Sequence, residues 1–285
     1  MFVIVGAVIV FVGVLAGFTL AGGNPLSLLQ YSEFVTIGSA AIGSLLISAP
    51  LPLIKKIIKS ITGVFKPHEF AKQDYLEILK SLNDLFLVAQ RDGLLAIEKH
   101  IETPEQSDIL GRNKKFIGNE FYRSFFADTM KVMLSGGVPP HELEGLIEAE
   151  IETYEDENKP VTASISRMGD SLPGLGIVAA VLGIIVTMGS ISAGAEKVGE
   201  HVASALVGTF LGILLAYGFI NPLAAIVEHG IETQARFLGT LKACIIAYAK
   251  GNPPIIAVEI ARRTIYSDSR PSFSELENYI RAKNV

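Results

Sequence analysis

Hydroxyl groups, two prolines and one carboxylate are the side chains with which this sequence could do chemistry in an apolar setting. Two glycine-rich runs, Ser171–Ala195 and Val202–Val227, contain no charged residue, and their polar atoms come mainly from Thr187, Ser204, Thr209 and Tyr217. A hydroxyl can ligate a cation or order water, but it does not take up and release a proton near neutral pH. A titrating carboxylate on an ion path through these runs would have to come from another chain. Glu33 stands at the edge of a different apolar run and is expected to be solvated or interfacial. The remaining inventory excludes more than it suggests. Cys244 is the single cysteine, so there is neither an internal disulfide nor metal-ligand spacing. The five histidines are scattered, no glycine loop has phosphate-binding form, and an enzyme has nothing behind it. The net charge of −5 gives no reason to expect nucleic acid.

The elements that must position these groups are blocks rather than stripes. With 49% hydrophobic and 19% charged residues, a globular chain would spread its apolar positions at period 2 or 3.6. Here they gather in four runs of about 20 residues, the length that crosses a bilayer. The first is Phe2–Leu20 and the second Phe34–Pro52, with Gly22-Gly23-Asn24-Pro25 as a turn signal between them. The first run has no positive leader and is longer than a signal-peptide core, so it reads as a retained span. Lys55, Lys56 and Lys59 follow the second run, whereas the loop before it has no lysine or arginine. The positive-inside rule puts those lysines, and both termini, in the cytoplasm.

The sequence thus divides into spans 1 and 2 (residues 1–54), a polar segment (55–168), spans 3 and 4 (169–227) and a polar tail (228–285). Helical spacing recurs in the polar segment, at Tyr75, Ile78, Leu79, Leu82, Leu85, Phe86 and Ala89. It recurs again at Phe121, Phe125, Thr129, Val132 and Met133, and a third time after Pro139-Pro140. The tail predicts a helix to about Ala249, a break at Gly251-Asn252-Pro253-Pro254, an amphipathic piece Ile255–Arg263 and a helix Phe273–Arg281. The fold class is an all-α integral membrane protein, with four transmembrane helices and a helical cytoplasmic domain between spans 2 and 3.

Small residues mark faces where helix backbones can approach closely in lipid. Gly176, Ala180 and Gly183 form such a face in span 3; Ala205, Thr209, Gly212 and Ala216 form one in span 4. These faces suit packing within one protomer or a ring of protomers around a foreign helix. Pro173 and Pro222 read either as first-turn residues or terminators, or as hinges where a span meets the cytoplasmic part.

Asp170-Ser171-Leu172-Pro173 with Gly176-Ile177-Val178-Ala179-Ala180 resembles the third span of the MotA family of flagellar motor stator subunits. Ala205–Phe219 with Pro222-Leu223-Ala224 resembles its fourth, and Arg270-Pro271-Ser272-Phe273 with Glu275-Leu276-Glu277 resembles its C-terminal signature. The similarity extends over nearly the whole chain. It implies a homo-oligomeric ring, a pentamer in this family, around the helices of two MotB-like single-span partners in the bacterial inner membrane. The partner would supply the cation-binding aspartate and the grip on peptidoglycan. No cofactor is implied, only a translocated proton or sodium ion, and the cytoplasmic domain would push on the rotor protein FliG.

Residue by residue, the resemblance makes Thr209 an ion-path residue, with Ala180 and Tyr217 beside it, and Pro173 and Pro222 the torque prolines. Ala179 and Ala180 add no further ligand, which leans towards protons. The family's rotor-facing arginine and glutamate stand eight residues apart. Glu98 fits the glutamate, but Gln90 occupies the arginine's position and Arg91 follows it, about 100° further round a helix. Glu150 matches another acidic position, among Glu144, Glu148, Glu152 and Glu155. Two other readings stand beside this one. An ExbB/TolQ-like energy transducer would carry one span fewer, and a free-standing channel or transporter would need its own intramembrane binding residue or broken-helix repeats.

Overall fold

A computed structural model describes residues 2–65, 70–189 and 194–282; the turn between the third and fourth apolar runs falls partly outside them. The described residues are helical throughout, with four helices long and apolar enough to cross a membrane. Two compact units emerge, one of Met1–His68 with Glu157–Gly230, the other of Glu69–Asp156 with Ile231–Val285. Polarity changes at 54, 168 and 227, whereas packing divides at 68, 156 and 230.

The first unit is built on α1 (Phe2–Leu20), α2 (Tyr31–Ser48) and α3 (Leu51–Gly63). To these it adds the later part of α8 (Pro140–Gly189), α9 (Ala195–Leu215) and the start of α10 (Asn221–Ala249). Helix α1 is apolar on every face and buries no residue in this chain, the pattern of a helix solvated by lipid. The second apolar run is not one helix. Ala49 and Pro50 are extended and Pro52 sits in the first turn of α3, so α2 stops at Ser48 and the lysines ride on a separate amphipathic helix. Lys56 Nζ on α3 lies 3.4 Å from a Glu157 carboxylate oxygen on α8.

The second unit gathers the two polar segments into one core. Asp74 accepts the Ala71 N–H at 2.7 Å and starts α4 (Lys72–Asp92), which ends at Gly93 with φ +90°, a conformation that favours glycine. Every large apolar side chain of the predicted α4 stripe from Ile78 to Phe86 is fully buried. Phe86 stacks on Tyr248 at 4.1 Å and Phe70 on Phe237 at 4.0 Å. After the short α5 (Glu98–Glu102) and α6 (Lys114–Ile117), α7 (Glu120–Leu134) closes this core with Phe125 and Phe126. The tail falls where the sequence placed it, as α11 (Pro254–Arg262) and α12 (Phe273–Arg281). Ser272 and Glu275 cap α12 reciprocally. Arg262 donates to the Pro271 carbonyl and Arg270 to that of Ile265, both at 2.8 Å, so the C-terminal signature staples the tail to itself.

The two prolines part company: Pro173 departs from the first-turn or terminator reading, and Pro222 fits it. Pro173 is neither a first-turn residue nor a terminator: it lies inside α8, a helix of 50 residues. Pro222 is the second residue of α10, directly after a π turn, Ala216–Ile220, closed by a bond from Asn221 N–H to the Ala216 carbonyl. A proline removes a backbone donor and its ring crowds the carbonyl four residues back; the wider π turn gives the Pro222 ring room.

Candidate functional site

Close approach of α8 and α9 creates the site. A β-carbon on Gly176 would stand 2.7 Å from the Gly208 carbonyl oxygen and 3.3 Å from the Thr209 Cα, and one on Gly212 would stand 2.5 Å from the Leu172 carbonyl oxygen. No real side chain fits at either point, so the two backbones touch through their glycines. Ile37 and Ala41 of α2 join Leu172, Ala179, Val207 and Leu211 in the core around this contact.

Thr209 and Ala180 both border this contact, each through a glycine of the facing helix. The Ala180 backbone nitrogen lies 3.3 Å from where a Gly208 β-carbon would be, and Thr209 is the next residue along. Tyr217 lies two turns further on, in the π turn, and is exposed on this chain. Near the two prolines, the Asn221 side-chain amide donates to an Asp170 carboxylate oxygen at 3.1 Å and ties α8 to the start of α10. Nothing in the spacing of Asp170 and Asn221 announces that bond.

Glu33 corrects an expectation. It is 5% exposed, in the first turn of α2, and its Oε2 would lie 2.6 Å from a β-carbon on Gly208. The carboxylate is therefore inside the helix packing, and the spans do contain one. Its sequence signal was present, an acid within two residues of an apolar run. Only the docking of α2 on α9 shows which way it faces.

The charged candidates of the second unit sit on the surface around Gly93. Arg91, in the last turn of α4, is held by its neighbour Asp92, with Nη2 2.6 Å from Oδ2 and Nε 2.9 Å from Oδ1. That hydrogen bond holds the Asp92 carboxyl below the usual range. Glu98 is exposed and opens α5, which is anchored by buried Ile97, His100 and Ile101. The Ser107 hydroxyl oxygen accepts the N–H groups of Ile109 and Leu110 and lies 2.9 Å from His100 Nδ1. Burial pushes the His100 pKa down, and nearby Asp108 offsets part of that shift.

The acids of α8 are not equivalent. Glu144 pairs with Lys250 at 2.8 Å and Glu148 with Lys242, both on the walls of an open cleft of about 670 Å³. Arg236 in the same cleft lies over the Tyr266 ring at 4.3 Å. Glu150 is on the exposed side of α8. Partial withdrawal from water, and then the nearby Asp128, push its carboxyl above the usual range. Among the described residues, no group of three histidine, cysteine or acidic side chains could hold a metal ion.

Comparison with known proteins agrees with this architecture. Residues 4–93 match the family described as motility protein A N-terminal, and residues 118–238 match the MotA/TolQ/ExbB proton channel family. The chain is 36% identical to motility protein A of Salmonella typhimurium and to that of Escherichia coli, in each case over 99% of this chain and 96% of the relative. It is 34% identical to chemotaxis protein LafT of Vibrio parahaemolyticus, over 96% of both chains. Its fold is that of a chain in the structure of C. jejuni MotAB, with a TM-score of 0.79 at 23% identity over 95% of this chain and 98% of that one. The MotAB stator complex of Bacillus subtilis gives 0.73 at 20% identity over 90% and 92%. The family matches cover most of the chain and the relatives match it end to end: it belongs to the motility protein A family of flagellar stator subunits, which are channel components and not enzymes.

Proposed function

We infer that this chain forms a ring around the membrane helices of two MotB-like single-span partners and converts proton or sodium flow into torque on the rotor protein FliG. The observation that carries this reading is the α8–α9 contact. It sets Ala180 beside Gly208 and Thr209 beside Gly176 along a glycine seam, and α8 continues as one helix through Pro173 to Pro140. A displacement at the seam is thereby joined covalently to the polar part of the chain. One charge moved through 100 mV releases about 2.3 kcal/mol, enough to bias a small helix movement.

In this reading four helices span the inner membrane, both termini are cytoplasmic and the ring is a pentamer. The loop 21–30, without lysine or arginine, faces outward. Glu98, Arg91 and Glu150 present charge to the rotor. Arg91 arrives partly neutralised by Asp92, so Glu98 is the stronger rotor contact of the pair. The match of residues 4–93 to the motility protein A N-terminal family, which takes in nearly all of α1 and the whole of α2, favours a stator over an ExbB/TolQ-like transducer.

The direct test is expression of the chain with and without a one-span protein carrying an aspartate near the start of its helix. Co-purification of the two and recovery of swimming in a strain lacking its own subunit are expected. Failure of both would sink the stator reading.

A further inference from the structure

We propose that Glu33, in the notch left by Gly208, is a binding point for the permeating monovalent cation, contributed by this chain rather than by its partner. The proposal rests on the stator reading above and places a second carboxylate on its ion path. Three observations converge on the notch. Glu33 is 5% exposed, and its Oε2 has no hydrogen-bond partner. Its Oε1 is only 3.5 Å from the hydroxyl of its own neighbour, Ser32. Gly208 is the residue whose missing side chain admits the carboxylate, since a β-carbon there would stand 2.6 Å from Oε2 and 3.1 Å from the Ala179 Cβ.

A purely structural role does not account for this geometry. An acid in the first turn of a helix is stabilising when it lies near its own free N–H groups. Here Oε2 points across to α9 instead. An unpartnered buried acceptor costs about 1–3 kcal/mol, and a charged one more, so a fold keeps such a group where a ligand completes it. A carboxylate oxygen is a hard ligand, the kind that takes a proton or a small hard cation whose remaining ligands are water or the partner's oxygens. The other titratable side chains on this stripe of α9 are His201, about 10 Å along the helix axis, and Lys197, about 16 Å along it, both too far to pair. The Nδ1 of His201 is likewise buried without a partner. The notch adjoins Ala180 and Thr209, so a cation released from Glu33 is already at the glycine seam.

The experiment uses the full chain co-expressed with its one-span partner. Glu33→Gln keeps the shape and removes the charge; Glu33→Asp keeps the charge and shortens the reach. With assembly intact, Glu33→Gln is expected to raise the sodium or hydronium concentration for half-maximal swimming speed by about tenfold or more, the factor for losing one charged oxygen contact. Steps in sodium, and separately in pH, identify which cation is carried. Infrared difference spectra of the purified complex under the same steps should show a carboxylate band that Glu33→Gln removes and Glu33→Asp shifts. If Glu33→Gln does not assemble, the Glu33→Asp shift decides. Unchanged ion dependence and an unchanged band in either assembled variant would overturn the proposal while leaving the stator reading intact. A wild-type complex that shows the band but never drives swimming would sink the stator reading and leave the site standing.

Discussion

At Gly212 the Leu172 carbonyl oxygen occupies the space that any β-carbon would need. Gly212→Val must therefore push α9 off α8, and overpacking of this kind costs about 1–3 kcal/mol. We expect a lower Tm for the detergent-solubilised protein and loss of disulfide cross-linking between cysteines placed at Ala180 and Thr209. An unchanged Tm with full cross-linking would show that the seam tolerates a gap. Glu150 makes a test of opposite sign. Its carboxyl sits above the usual range in the folded chain, so the fold binds its proton more tightly than the unfolded chain does. Stability from this group is complete below the ordinary glutamate range and falls as pH rises through the raised value. Glu150→Gln should then gain stability at neutral pH, by about 0.5 kcal/mol or less for so exposed a group, and show no gain in acid. Equal differences in paired melts at acidic and neutral pH would refute that assignment. The glycine positions of the seam were legible in the sequence as a small-residue face. The raised carboxyl of Glu150 was not, because its partial withdrawal from water, and then the charge of Asp128 on another helix, follow from tertiary packing.

Helix α8 and the π turn both depart from regular helical hydrogen bonding at a proline. Pro173 interrupts the hydrogen bonding of α8 without ending the helix, and Pro222 follows a turn already widened by one residue. Both are points where a long helix can bend at low cost. Restoring the missing N–H groups with Pro173→Ala and Pro222→Ala together should abolish swimming while membrane insertion and partner binding survive. Normal motility in that double variant would remove the hinge role. The sequence marked both prolines, but an isolated proline reads the same at a helix end as in a helix interior. Which it is depends on whether flanking residues are held helical by packing, and here Leu172 and Ala179 are buried against the α2 and α9 core.

For the whole molecule, the stator reading and the proposed role of Glu33 together give this chain half of an ion path, the other half coming from the partner. Thr209 and Glu33 flank an apolar wall with no continuous polar lining of their own. Purified chain in liposomes should therefore give no cation flux above empty vesicles, and co-reconstitution with the one-span partner should give flux. Robust conductance from the chain alone would return it to the class of free-standing channels.

Composition and periodicity by themselves determined four apolar runs, the helices of the polar segments and the break before Pro253. These follow from local rules: run length against bilayer thickness, the 3.6-residue stripe, and turn residues that cannot continue a helix. The resemblance of Asp170–Ala180 and Ala205–Ala224 to a stator family rested on the same local text. Tertiary structure alone decided three things: that residues 69–156 and 231–285 share one core, that Pro173 is interior to a helix, and that Glu33 turns into Gly208. Each is a matter of which surface meets which across long sequence separation. A carboxylate next to an apolar run has the same local sequence whether water or a glycine backbone lies opposite; the packing of α2 on α9 makes that choice.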